Sequence, residues 1–99
     1  MTITKIKNDE DLTLQVEGRI DSTTAPELEI AVTTDMEGVK NLTFDFEKTD
    51  YISSAGLRVI LLAQKYANKV QGSMKLTNVS DDIKEILDVT GFSEIITIV

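Results

Sequence analysis

The chain contains no cysteine, no histidine and no tryptophan, and a single proline, Pro26. Without cysteine there is neither a disulfide framework nor thiolate chemistry. Without histidine, the commonest general base and metal ligand is missing. Positive charge is scarce as well, with ten basic residues against seventeen acidic ones and a net charge of −7. A phosphate backbone would therefore be repelled, and a basic protein partner fits better than nucleic acid. No apolar run is long enough to span a membrane. The first residues, MTITKIKNDEDL, hold no signal-peptide core, which leads us to expect a cytoplasmic protein. These absences together argue against an enzyme.

What is present suits one compact domain over residues 1–99, with 41% hydrophobic residues for one core. TITKIK reads as an edge strand, and DLTLQVEG alternates Leu12, Leu14 and Val16 with polar residues, so the two should form an antiparallel hairpin. The period then changes. Leu28, Ala31, Val32 and Met36 make one helical stripe, opened by a Thr24–Glu27 capping box and stopped by Gly38. NLTFDFEKTDYI reads as one strand with Leu42, Phe44 and Phe46 pointing inward. From Ser54 a second, very apolar helix follows, with Leu57, Ile60, Leu61 and Gln64 on one side, widened by Val59, Leu62, Ala63, Tyr66 and Val70, and Gly72 at its end. SMKLTNV is a short strand, Ser80 caps a third helix whose first turn holds Asp81 and Asp82, Gly91 stops it, and SEIITIV is the last strand. The predicted order is β-β-α-β-α-β-α-β, an α/β domain with a small, mostly parallel sheet and packed helices.

In open α/β sheets, function gathers where strand ends pass into helices. Two such joints combine hydroxyl residues with turn chemistry: GRIDSTT after the second strand and YISSAG after the third. Asp21 in the first and Ser54 in the second are expected at the same end of the sheet. Ser54 has two readings. It is an ordinary helix N-cap, or it is a phosphate acceptor. A phosphate there would meet unpaired helix N–H groups, Ala55 and Gly56 would leave the hydroxyl open, and Arg58 at i+4 would offset the charge. Glu27, Glu29, Asp35 and Glu37 read as a solvated face, some of which could meet basic partner residues; Tyr51 reads as a packed strand-end residue or, if exposed, an interface hot spot; and Asp45, Glu47 and Asp50 lack the spacing of a metal site. No cofactor is expected.

The stretches VEGRIDSTTAPELE, LTFDFEKTDYISSAGLRVILLA and VTGFSEII resemble the bacterial anti-sigma factor antagonists, whose fold is the STAS domain. That resemblance spans nearly the whole chain, and its central block is the specific part. It implies a partner switch in transcription regulation. The unphosphorylated protein would bind an anti-sigma factor that is also a serine kinase, phosphorylation would break the complex, and a serine phosphatase would restore it. Aligned on Gly56 and Leu57, the family's acceptor serine falls on Ser54, with Ser53 the second choice. Asp21 matches a frequent acidic position beside it. The implied contact residues are Asp21, Ser22, Thr23, Ser53, Ser54, Ala55, Gly56 and Arg58. Two departures stand out: Ser53 replaces the aspartate that often precedes the acceptor, and the sequence ends where many members have a further helix. The alternative is a STAS module of another system, such as a stressosome-like scaffold, lipid transport or a transporter regulator, binding other proteins or a nucleotide. A serine hydrolase is disfavoured, since no histidine is available and ISSAG lacks the glycine of a nucleophile elbow.

Overall fold

The computed structural model describes residues 1–99. Strand β1, Thr2–Asn8, turns through Asp9 into β2, Asp11–Ile20, and the two pair antiparallel as expected. Helix α1 spans Ala25–Thr34, followed by β3, Asn41–Asp45, and β4, Thr49–Ile52. Helix α2 runs Ser54–Lys69, β5 Ser73–Thr77 and α3 Asp81–Val89. A 3-10 turn at Phe92–Glu94 leads to β6, Thr97–Ile98.

The sheet order is β1-β2-β3-β5-β6, with every pairing after the hairpin parallel. Alternation along β2 and β3 puts Leu12, Leu14, Val16, Leu42, Phe44 and Phe46 on the covered face, all buried. The rings of Phe44 and Phe46 pack at 5.9 Å between centroids. Side chains of this size each contribute about 1.5–3 kcal/mol when fully buried. The intervening residues Thr13, Gln15, Thr43 and Lys75 stay partly or fully exposed. One sheet face is therefore open to solvent, which antiparallel-edged mixed sheets allow.

The expected order of strands and helices stands, but the third strand is divided. Residues 41–52 were expected as one strand; they form β3 and β4, separated by a turn in which the Thr49 amide donates to the Phe46 carbonyl at 3.0 Å. The break follows from β2, the longest strand. Its residues 11–15 pair with β3, and its residues 18–20 pair with β4. Within the second pairing the register shifts between Gly18, opposite Thr49, and Arg19, opposite Tyr51, and the φ of 102° at Gly18 suits glycine. Thr49 locks the second partner by donating its hydroxyl to the Val16 carbonyl at 2.7 Å, inside the fold. So β2 hands over from one neighbour to the next, and the second carries the chain into α2.

Other boundaries move for local reasons. Helix α1 ends at Thr34 rather than running to Gly38, and Met36 is buried from the segment after it. On α2 the inner face is Gly56, Leu57, Val59, Ile60, Ala63 and Ala67, whereas Leu62, expected inside, is exposed. The left-handed residue that ends α2 is Gln71, with φ 58°, not Gly72. Gly72 answers a different need: a Cβ there would lie 1.8 Å from the Lys40 carbonyl oxygen. At α3 the Ser80 hydroxyl accepts from the Ile83 amide at 3.2 Å, and Gly91 adopts φ 82° beyond its end, both as expected. The closing strand is shorter than the sequence suggests, because residues 92–94 wind into the 3-10 turn first.

Candidate functional site: two helix entries at one end of the sheet

Strands β2 and β4 run parallel, with Ile20 beside Ile52, so both deliver their following loops to the same end. The Ser53 amide continues this ladder by donating to the Ile20 carbonyl at 2.8 Å. Asp21 and the serine pair thus enter side by side. A shallow groove runs between the helix starts, with Ser22, Pro26 and Glu29 on the α1 side and Ala55 and Arg58 on the α2 side.

Asp21 organises the first entry. Its Oδ1 accepts from the Thr23 amide at 3.0 Å, the Thr23 hydroxyl at 2.6 Å and the Thr24 amide at 3.2 Å. These donors favour the charged form. The hydroxyl and amide of Thr23 lead in holding the carboxyl at about 2, against an ordinary value of 3.8. The Asp21 carbonyl also accepts from the Thr24 and Ala25 amides, making a turn that leads into α1. The expected Thr24–Glu27 capping box is absent. The Thr24 hydroxyl instead donates back to the Arg19 carbonyl at 2.8 Å and accepts from the Asp21 amide at 2.9 Å. It ties the loop to the strand, and the aspartate carboxylate holds the turn that precedes the helix.

At the second entry the two serines have different tasks. Ser53 is the N-cap in extended conformation, half-buried, and its Oγ accepts from the Gly56 amide at 3.4 Å. Ser54 is the first helical residue and is exposed. Its hydroxyl takes no part in the cap. The sequence left open whether Ser54 was a cap; the helix starts one residue earlier than that reading requires, and Ser53 does the capping. Ala55 is partly exposed and Arg58 exposed, one turn along α2.

Gly56, expected among the contact residues, is packed inward. It is buried, and a Cβ at that position would stand 2.6 Å from Ile20 Cγ2 and 2.7 Å from Ile52 Cγ1. Its small size lets α2 lie directly on β2 and β4, which aims Ser54 outward. Ser22 and Thr23 are exposed in the first loop. Glu27, Glu29 and Glu37 are exposed as expected, while Asp35 pairs with Lys5 at 2.5 Å. Asp45 accepts from Asn78 at 3.0 Å and from Gln15 at 3.3 Å.

One residue of the site was not singled out by the sequence. Arg19 stacks over the Tyr51 ring, 4.5 Å from its centroid, and its Nε lies 3.6 Å from Asp21 Oδ2. It bridges the strand before α2 and the loop before α1. Tyr51, expected as a packed residue, is 37% exposed and presents its stacked ring at the surface. The signal was the pairing of Arg19 with Tyr51 across β2 and β4, which appears only once the register is known.

Known proteins share this fold. The STAS domain model matches residues 2–99. The anti-sigma factor antagonist BtrV of Bordetella bronchiseptica is 34% identical over 96 residues, covering 96% of this chain and 83% of that protein. An anti-sigma-B factor antagonist of Bacillus subtilis is 32% identical over 92 residues, covering 93% and 84%. Among solved structures, the anti-sigma factor antagonist SpoIIAA in its unphosphorylated form superposes with a TM-score of 0.79 at 16% identity, covering 99% of this chain and 87% of that one. The phosphorylated form of the Bacillus protein gives 0.78 at the same identity, covering 99% and 91%. The overall fold is therefore shared. This chain belongs to the STAS domain family, among the anti-sigma factor antagonists.

Proposed function

We propose that this antagonist is a rigid, phosphorylation-controlled switch centred on Ser54. Unmodified, it binds an anti-sigma factor that is also a serine kinase, and so releases a sigma factor in the cytoplasm. Phosphorylation of Ser54 ends the contact, and a serine phosphatase restores it. The contact surface is Asp21, Ser22, Thr23, Ser53, Ala55 and Arg58 around Ser54. It works by binding rather than catalysis, and the acidic chain takes no direct part in holding nucleic acid.

The observation that carries this reading is the division between the serines. Ser53 caps α2, while Ser54 stands exposed at the first helical position. A phosphate on Ser54 would sit beside helix-start N–H groups that lack internal partners, where negative charge is stabilised. It brings up to about two negative charges and three strong acceptors. Against a carboxylate of the partner about 6 Å away, each pair of unit charges costs roughly 3 kcal/mol at an effective dielectric near 20. About 1.4 kcal/mol is already tenfold in affinity. Local charge thus suffices to release a partner, and the domain need not refold.

Binding of an anti-sigma factor kinase to wild type, Ser54→Ala and Ser54→Asp tests this. The alanine variant should bind within a few-fold of wild type, and the aspartate variant at least tenfold more weakly. Equal retention of the partner by both variants would refute the charge mechanism.

A further inference from the structure

Helix α2 carries Arg58, Lys65 and Lys69 and no acidic residue, in a chain with seventeen acids. With 3.6 residues per turn, Ser54, Arg58, Leu62, Lys65 and Lys69 fall within about 80° of the helix circumference. All five are exposed. They form a stripe about 22 Å long that begins at Ser54.

The three cations on this stripe make no ion pair, as is also true of Lys7, Lys40, Lys48 and Lys75; what sets the stripe apart is three such cations aligned on one helix face. Even Glu29, which lines the same groove as Arg58, does not pair with it. Leu62, at the middle of the stripe, is 38% exposed. A solvated helix face would ordinarily mix signs, with acids four residues from lysines. Here the face is of one sign with an apolar centre. Removing these three positive charges from the net −7 leaves −10 on the rest of the chain. An acidic partner is repelled by most of the surface and attracted along one line, which sets orientation and association rate as well as affinity.

We infer that this stripe is the docking line for an acidic amphipathic segment of the partner protein. Its carboxylates meet Arg58, Lys65 and Lys69, and an apolar side chain covers Leu62. The inference rests on the switch reading only for the identity of that partner. It also extends the switch. A phosphate on Ser54 enters the same line and draws Arg58, one turn away, from the incoming carboxylate.

The test uses the full chain labelled with nitrogen-15 and a synthetic four-turn helical peptide bearing glutamates and a central leucine on one face. At low salt, chemical shifts should move along residues 58–69. The double variant Lys65→Glu/Lys69→Glu, shown folded by circular dichroism, should bind at least tenfold more weakly, and raised salt should erase the difference. Shifts elsewhere, indifference to the double variant, or equal binding of a lysine-bearing peptide or a DNA duplex would overturn the inference. Modification of Ser54 by a kinase is read separately. Peptide docking without that modification would refute the switch alone, and a working switch with no docking on the stripe would refute this inference alone.

Discussion

The two helix entries share one end of the sheet and are built on opposite principles. At α1 the two threonine hydroxyls before the helix are engaged, donating to Asp21 Oδ1 and the Arg19 carbonyl, while Ser22 stays exposed at the loop tip. At α2 one hydroxyl caps and its neighbour is left over. The first joint is closed on itself, held by a carboxylate that stays charged down to about pH 2. The second ends on an exposed side chain carried by a firmly seated helix. Rigidity on one side and availability on the other is what a modification switch needs, because the added charge then acts on the partner and not on the fold.

Substitutions can break this contrast, and the largest effect is expected at Gly56. Replacement by valine drives carbon into Ile20 and Ile52, both buried, and should cost about 3 kcal/mol or more of unfolding free energy in denaturant titrations. Ser53→Ala removes the cap and should cost about 0.5–1 kcal/mol, at the lower end of cap values because the 3.4 Å bond is long. Ser54→Ala should stay within about 0.5 kcal/mol of wild type, as for surface sites without partners. A stability loss at Ser54 equal to that at Ser53 would erase the contrast between the serines.

Acid titration sharpens the contrast from the other side. The Asp21 pKa is depressed, so its contribution to stability is complete above the ordinary carboxylate value of 3.8 and is lost as pH falls toward about 2. Carbon-detected NMR should place the Asp21 midpoint near the lower figure. Asp21→Asn should flatten the stability profile in that window and leave α2 unchanged. This is the smallest effect, since the carboxylate is close to solvent.

Much of this was legible in the sequence. Alternation of Leu12, Leu14 and Val16, and of Leu42, Phe44 and Phe46, marked strands with one buried face. Helical spacing marked α1 and α2. The break between β3 and β4 was hidden, because residues 46–48 carry no obvious turn signal and the change of partner along β2 shows only in the pairing. Arg19 was hidden for a similar reason: a cation at an alternating strand position looks solvated until its cross-strand neighbour is known to be Tyr51. The serine pair was visible as a site but not as two roles. Adjacent hydroxyls are chemically alike, and only the starting residue of the helix decides which one caps. Gly56 read as either contact or packing, and the nearness of Ile20 and Ile52 shows the packing role.

The most direct measurement is site-resolved mass spectrometry of the chain after incubation with an anti-sigma factor kinase and ATP. The account predicts a single phosphate on Ser54, with Ser53 unmodified. A phosphate on Ser53 instead would contradict it, because the capping hydroxyl would then be the one the kinase reaches.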